Sequence, residues 1–163
     1  MMYDIRFKTQ KIKMVATDID GVWTDAKMYY SKDGDYMKAF STYDGVAVRI
    51  LKEMNIIVVV ITSEESLIVS KRVEKLGVNH LYQGEYKKLE RLKYLCKRYN
   101  IKMDEVAYIG DDINDLDALK NVGLSAMPIN SPILQLFNPD IIIKSKGGYG
   151  AFREFVDIIQ FNR

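Results

Sequence analysis

The chain has 163 residues, a length that predicts one domain over residues 1–163 with a substantial buried core. Its hydrophobic content of 48% is that of an ordinary soluble protein, and its net charge of +2 argues against a nucleic-acid partner. A single cysteine, Cys96, and the lack of any apolar run near the roughly 20 residues that cross a bilayer favour a cytoplasmic protein without a membrane partner.

The first predicted strand, Met14–Ile19, leads into two aspartates and a glycine, Asp18-Ile19-Asp20-Gly21. Alternate side chains of a strand share a face, so we expect Asp18 and Asp20 to lie close together where the strand ends. Two close carboxylates repel each other, and a cation beside them relieves that repulsion. The pattern is typical of a Mg²⁺ site for phosphoryl chemistry, although turns and sugar-nucleotide enzymes also contain Asp-x-Asp.

Two short strand-like segments come next, Ala26–Tyr30 and Tyr36–Ser41, around the turn residues Lys32-Asp33-Gly34. They predict a β-hairpin that projects over the strand ends as a flap. Its side chains are too apolar for a bare flap, which favours an interface with another subunit; the alternative is packing on the chain's own sheet. The apolar residues are Met28, Tyr29, Tyr30, Tyr36, Met37 and Phe40.

The rest of the chain alternates between β-branched runs and helical patterns. Further strands are predicted at Ile56–Ile61, Val106–Ile109 and Asp140–Ile143. Apolar residues recur at helical spacing over 46–54, 67–76, 89–96 and 116–122, and a short helix is expected from about Ala151. This alternation predicts an α/β fold with a doubly wound, Rossmann-like parallel sheet, the hairpin flap and no cap domain.

Polar residues gather where three of these strands end. They are Asp18 and Asp20, then Thr62 and Ser63, then the run Gly110–Asp115. Open parallel sheets bind ligands beyond the carboxyl ends of their strands. Three strands therefore bring the groups of a Mg²⁺–phosphate site to one edge.

These motifs resemble the haloacid dehalogenase superfamily of phosphatases, whose first motif is Asp-x-Asp-Gly and whose last is Gly-Asp-Asp followed by an Asp. The chain is most similar to the small capless subfamily that acts on 2-keto-3-deoxy sugar acids, the octulosonate 8-phosphate and nonulosonate 9-phosphate phosphatases. The matching segments are Thr17–Asp25, Tyr43-Asp44-Gly45, Tyr82-Gln83-Gly84 with Lys88, Gly110–Asp115, and Gly147-Gly148-x-Gly150-x-x-Arg153-Glu154.

The resemblance implies a catalytic role for each motif. Asp18 would attack phosphorus to form an aspartyl-phosphate, and Asp20 would protonate the leaving sugar oxygen and then activate water. Mg²⁺ would be bound by Asp18, the Asp20 backbone carbonyl and Asp111. Thr62 would bind the phosphoryl oxygens.

The resemblance also assigns supporting residues, with alternatives for some. Lys88 would bridge to the phosphate, although Lys87 beside it makes that assignment ambiguous from sequence alone. Asp112 and Asp115 would orient metal-bound water and Lys88; Asp115 is equally interpreted as a helix N-terminal residue. Ser63 stands where the family usually has glycine, which puts the local backbone conformation in question.

Four charged residues are candidates for contacts with the sugar. Glu64, Arg72 and Lys75 match the pattern of the nonulosonate enzymes, with Glu64 accepting bonds from extra hydroxyls and Arg72 pairing with the carboxylate. Solvated helix charges are the alternative for all three. Arg153, after the glycine-rich tail, would bind a carboxylate or phosphate. A nine-carbon acid phosphate is therefore favoured over an eight-carbon one.

The predicted protein is thus a Mg²⁺-dependent phosphatase of sugar acid biosynthesis. Because no cap domain covers the site, the resemblance implies a homotetramer in which a neighbouring subunit closes it. The alternative is a catalytically silent oligomerisation module associated with a nucleotide-sugar synthetase. A receiver-like signalling domain fits less well, since it lacks Asp-x-Asp-Gly-Val at its first strand.

Overall fold

A six-stranded parallel sheet forms the centre of the computed structural model, which describes residues 2–163 and the side chains from residue 5 onward. The strands are β1 (Met14–Thr17), β2 (Tyr29–Ser31), β3 (Gly34–Met37), β4 (Ile57–Ile61), β5 (His80–Tyr82), β6 (Val106–Ile109), β7 (Leu124–Pro128) and β8 (Ile141–Ile143). The sheet order is β5-β4-β1-β6-β7-β8, and every neighbouring pair is parallel. The doubly wound α/β prediction is confirmed.

Helices cover both faces of this sheet. They are α1 (Met2–Lys11), α2 (Thr42–Glu53), α3 (Leu67–Lys75), α4 (Lys88–Tyr99), α5 (Leu116–Asn121) and α6 (Ala151–Phe161). One apolar core lies under α2, α3 and α6, where the ring centroids of Trp23 and Phe152 are 5.2 Å apart. A second core on the opposite face contains Leu92 and Leu95 of α4 with Ala118 and Leu119 of α5.

The central strands lack charged residues and are largely β-branched or small because both of their faces are covered. All four residues of β1 are buried, as are Val58 to Ile61 of β4. Burial on two sides removes the polar alternation that marks a half-exposed strand. Strands β4, β1 and β6 therefore form the buried centre of the sheet from which the polar loops extend.

The hairpin of β2 and β3 forms a separate two-stranded sheet. It is shorter than predicted: Ala26 has a φ of 61°, which excludes it from a strand, and Gly34 belongs to β3 rather than to the turn. Five of its six predicted apolar residues are exposed, Met28, Tyr29, Tyr30, Tyr36 and Met37. Phe40 instead packs against the chain's own core, as the alternative of packing on the chain's own sheet predicts.

Other boundaries differ for local reasons. β1 ends at Thr17 rather than Ile19, because the Ile19 carbonyl accepts hydrogen bonds from the turn residues that follow. β8 begins after Asp140, whose carboxylate accepts bonds from Ser125 of β7. Helix α1 and strand β7 were not predicted. Across residues 2–163, each helix is too short or too polar to span a membrane.

Candidate active site

Three adjacent strands, β4, β1 and β6, end around one cavity of about 210 Å³. β1 leads into Asp18, β4 into Thr62, and β6 into Gly110 and Asp111. The cavity wall also includes Ala26 and Met28 from the base of the hairpin. Its full lining is Asp18, Asp20, Ala26, Met28, Thr62, Ser63, Glu64, Asp111, Asp112 and Asn114.

Lys88, the first residue of α4, lies beneath this cavity between two carboxylates. Its Nζ is 2.7 Å from Asp18 Oδ2 and 2.6 Å from Asp115 Oδ1. Only 1% of the Lys88 residue is exposed, whereas its neighbour Lys87 is exposed. Lys88, and not Lys87, is therefore the lysine that contacts the aspartates.

Asp115 is fully occupied with hydrogen bonds inside the protein. Its Oδ1 accepts from Lys88 and from the Tyr108 hydroxyl, and its Oδ2 accepts from the backbone N–H groups of Asp111 and Asp112. Gly110 permits this packing, because a Cβ there would lie 2.4 Å from the Asp115 carboxyl carbon. Asp115 thus holds the 110–112 loop and Lys88 in place.

The donor set fits a divalent cation. Carboxylate oxygens of Asp18, Asp111 and Asp115 lie within 4.8 Å of one another, but the four bonds to Asp115 leave it no free lone pair to face an ion. No hydrogen bond among the described residues reaches the Asp111 carboxylate. Asp18 and Asp111 are therefore the side chains available to a hard cation, which prefers oxygen ligands.

The electrostatics of the cluster favour such a cation. Burial, together with the nearby Asp115, raises the pKa of Asp18 to about 7 against the opposing charge of Lys88. Burial, with Asp18 and Asp115, raises the pKa of Asp111 to about 8. Burial alone would lower the pKa of Lys88, but the two carboxylates outweigh it and raise that pKa. One lysine does not neutralise this group, so a bound cation would stabilise the ionised carboxylates.

Asp20 lies at the mouth of the cavity, in contact with the hairpin. Its Oδ1 accepts hydrogen bonds from the Thr24 hydroxyl at 3.0 Å and from Lys38 Nζ at 2.7 Å. Its Oδ2 is buried and has no hydrogen-bond partner among the described residues. The glycine-rich tail lies close by, since the Gly148 N–H donates to the Val22 carbonyl.

Thr62, Ser63 and Glu64 form the wall contributed by β4. Ser63 is not among the residues with a positive φ, so the backbone here does not require the glycine that the family resemblance led us to expect. Its hydroxyl accepts a hydrogen bond of 2.9 Å from Asn114 Nδ2, which joins the loops after β4 and β6. Asn114 was not singled out from the sequence, because an Asn in a polar loop is typical of a turn.

Three predicted substrate-binding residues lie elsewhere on this chain. Arg72 donates to the Ser41 carbonyl and, with Lys75, lines a different cavity beside α2. The Arg153 guanidinium pairs with Asp157 on its own helix. The family resemblance suggested these residues but not where their side chains lie, and within one chain they do not line the Asp18 cavity.

Comparison with known proteins agrees with the geometry. Residues 35–123 match the model of the haloacid dehalogenase-like hydrolases, which is more than half of the chain. The 3-deoxy-D-manno-octulosonate 8-phosphate phosphatase of Escherichia coli is 34% identical over 156 residues, which cover 96% of this chain and 83% of that protein.

Solved structures give the same result. The 3-deoxy-D-manno-octulosonate 8-phosphate phosphatase of Moraxella catarrhalis, in complex with magnesium, phosphate and KDO, superimposes with a TM-score of 0.95 at 35% identity, over 100% of this chain and 94% of that one. The cobalt-bound Haemophilus influenzae phosphatase gives 0.90 at 34% identity, over 95% and 91%. This chain therefore belongs to the haloacid dehalogenase-like hydrolases, and within that family it is a phosphomonoesterase.

Proposed function

We propose that this enzyme hydrolyses the terminal phosphomonoester of a 2-keto-3-deoxy sugar acid phosphate through an aspartyl-phosphate intermediate. The observation that carries the proposal is the buried contact of Lys88 with both Asp18 and Asp115, beside Asp111. A lysine so placed neutralises part of the charge that a carboxylate nucleophile and a phosphate would otherwise bring together. The names of the relatives support the substrate class.

The proposed reaction has two steps at phosphorus. An Asp18 carboxylate oxygen forms a bond to phosphorus while the bond to the sugar oxygen breaks, and Asp20 gives that oxygen a proton. Water then attacks the phosphoryl group, Asp20 takes the proton from the water, and the bond to Asp18 breaks to release phosphate. Thr62, at the end of β4, is proposed to hold the phosphoryl oxygens.

Mg²⁺ is the proposed cofactor, held by Asp18, Asp111 and the Asp20 backbone carbonyl. When bound, it supplies positive charge that offsets the charge of the phosphate. Asp112, which lines the cavity, is proposed to orient its water, and Asp115 to orient Lys88.

For the sugar we propose a nine-carbon nonulosonate in preference to the eight-carbon octulosonate. Glu64 supports this, because its position in the cavity wall allows a carboxylate to accept bonds from additional hydroxyls. Arg72 and Lys75 line a different cavity and Arg153 pairs with Asp157, so these three residues would contribute only from a neighbouring subunit. The sugar preference therefore depends on the oligomer.

A homotetramer is the proposed assembly, with the hairpin as an interface element. Four exposed apolar side chains on one two-stranded sheet, with Met28 directly before it, exceed what a solvated hairpin normally carries. Cytoplasmic localisation is proposed with it, because Cys96 is a free thiol.

The test is phosphate release from octulosonate 8-phosphate and a nonulosonate 9-phosphate in parallel, with Mg²⁺ and with EDTA. We expect Mg²⁺-dependent turnover that Asp18→Asn abolishes and that the control Asp104→Asn, an exposed residue before β6, leaves intact. The ratio of the two kcat/KM values decides the sugar. Failure to hydrolyse either ester by a folded protein would favour another substrate or a silent module.

A further inference from the structure

Lys38 is a buried cation at the point where the hairpin returns to the core. The preceding residues Tyr36 and Met37 are exposed, yet only 2% of the Lys38 side chain is. Burial of an ammonium group is unfavourable unless a charged partner compensates it. Its partner is Asp20, with Nζ 2.7 Å from Oδ1.

The two oxygens of Asp20 have different surroundings. Oδ1 accepts from both Lys38 and Thr24, while Oδ2 is buried and has no partner among the described residues. Two donors on one oxygen fix the plane of a carboxyl group. They leave the other oxygen as the one free to exchange a proton at the cavity that Asp20 lines.

We propose that Lys38 is a positioning residue for Asp20, holding Oδ1 so that Oδ2 delivers the proton to the leaving-group oxygen. This proposal rests on the proposed function, in which Asp20 is the proton donor. As the phosphorus–oxygen ester bond breaks, the proton moves from Oδ2 to the sugar oxygen, and Asp20 becomes a carboxylate paired with Lys38. Lys38 itself neither loses nor gains a proton.

The position of Lys38 also connects the hairpin physically to the site. Lys38 follows β3 directly, and the hairpin base contributes Ala26 and Met28 to the cavity wall. One ion pair therefore joins the covering element to the group that transfers the proton. A purely structural lysine would stabilise the hairpin without affecting one ester more than another.

Leaving-group dependence separates these two roles. An alkyl ester such as octulosonate 8-phosphate needs protonation of its leaving oxygen, whereas p-nitrophenolate leaves without it. We expect Lys38→Met to lower kcat/KM for octulosonate 8-phosphate about 30-fold or more, because general acid catalysis contributes about 100-fold or more. For p-nitrophenyl phosphate we expect a loss of less than about 3-fold, since kcat/KM reports only the steps through phosphoenzyme formation.

Two further variants complete the design. Lys38→Gln keeps an N–H donor, so its kcat/KM for the alkyl ester should fall less than that of Lys38→Met. Lys27→Met removes an exposed lysine near the hairpin that pairs with Asp25. It should leave kcat/KM for both esters unchanged. Calorimetric titration with Mg²⁺ should give the same affinity for Lys38→Met as for the wild type, since Lys38 pairs with the Asp20 side chain and not with Asp18 or Asp111.

Equal losses on both esters, or an unchanged alkyl-ester rate, would overturn the positioning role. If Lys38→Met does not fold, as judged by its thermal transition, the same comparison is made with Lys38→Gln. A wild-type enzyme that hydrolyses p-nitrophenyl phosphate but neither sugar ester would contradict the proposed substrate and not this role; glycerol 3-phosphate then serves as the alkyl ester.

Discussion

Lys88 shows how much depends on one side chain, because it is the buried cation between Asp18 and Asp115. We expect Lys88→Met to lower the free energy of unfolding by about 3–5 kcal/mol in EDTA, since it leaves two buried carboxylates without their positively charged partner. Activity should fall about 100-fold or more, because a preorganised charge at the reacting group is lost.

The measurement is urea unfolding of Lys88→Met in EDTA, followed by phosphate release where the variant is folded. The exposed neighbour is the matched control: Lys87→Met should change stability by less than about 0.5 kcal/mol. Equal behaviour of the two variants would mean that the ion pairs contribute nothing net.

Gly21 allows Asp111 to approach the first strand. A Cβ on Gly21 would lie 1.8 Å from Asp111 Oδ2, and its φ is +87°. Gly21→Ala should therefore displace Asp111 and weaken Mg²⁺ binding about 10-fold or more, since ligand position decides the affinity of a hard cation.

Calorimetric titration with Mg²⁺ measures that effect, and the hairpin offers a matched glycine. Gly34 also has a positive φ, +111°, but a Cβ added there would meet nothing within 4 Å. Gly34→Ala should share the backbone strain and keep the affinity. If both variants bound Mg²⁺ more weakly, backbone strain rather than displacement of Asp111 would account for the loss.

At the scale of elements, Asp44 connects α2 to α6. Its Oδ1 accepts a hydrogen bond from the Arg153 backbone N–H in the first turn of α6, and its Oδ2 is buried without a partner among the described residues. Burial raises the pKa of Asp44 to about 6, although Arg72 and Arg153 oppose the shift. The sequence motif Tyr43-Asp44-Gly45 therefore has a structural function in this fold.

The pH dependence of stability follows from that raised pKa. Because the folded value, about 6, exceeds the ordinary 3.8, the contribution of Asp44 is fully present below about pH 4 and is lost as the pH rises through about 6. Asp44→Asn removes this slope. Relative to the variant, the wild type should lose on the order of 3 kcal/mol between about pH 4 and about pH 7.

Chemical unfolding of both proteins across this pH range provides the measurement. Thr42→Ala changes a neutral, exposed residue in the same turn of α2 and should displace the stability curve without altering its slope. If the free energies of unfolding of the wild type and of Asp44→Asn changed in parallel with pH, Asp44 would not be the source of the pH dependence.

Elements could be predicted where the sequence carries a local pattern. β4 and β6 were, because a strand buried on both faces consists of apolar, largely β-branched residues. β7 was not, since Leu-Ser-Ala-Met-Pro has no β-branched residue and is held by pairing with β6 and by Asp140. Those contacts are distant in sequence, so no local pattern reports them.

At the scale of the whole molecule, the hairpin and Met28 beside it expose five large apolar side chains. We expect sedimentation velocity to give a tetramer for the wild type, and a smaller species for the double variant Tyr30→Ser and Tyr36→Ser, whose residues are 64% and 72% exposed. Each substitution removes apolar area that an interface would bury.

Leu136→Ser is the control for this experiment, since Leu136 is 68% exposed and lies outside the hairpin. It should leave the sedimentation coefficient unchanged. A monomeric wild type would contradict both the tetramer and the contribution of Arg72 and Lys75 from a neighbouring subunit.

At this scale the location of the site was predictable, whereas its complete composition was not. Topology alone brings the loops after β1, β4 and β6 to one edge, which places Asp18, Thr62 and Asp111 together. Lys38 was missed because a lysine within the predicted strand Tyr36–Ser41 has the pattern of a solvated charge. Its partner, Asp20, is distant in sequence, and only the folded hairpin brings the two side chains together.

The strand pairings have a consequence for how the protein is made. Met14 of β1 pairs with Ile57 on one side and with Val106 on the other, so the central trio closes only after most of the chain exists. A nascent chain that still lacks β6 has no Asp111 and lacks one of the two strands that pair with β1. Ion binding would therefore require synthesis beyond Asp111, and chains truncated before β6 would be unable to bind the metal or the ester.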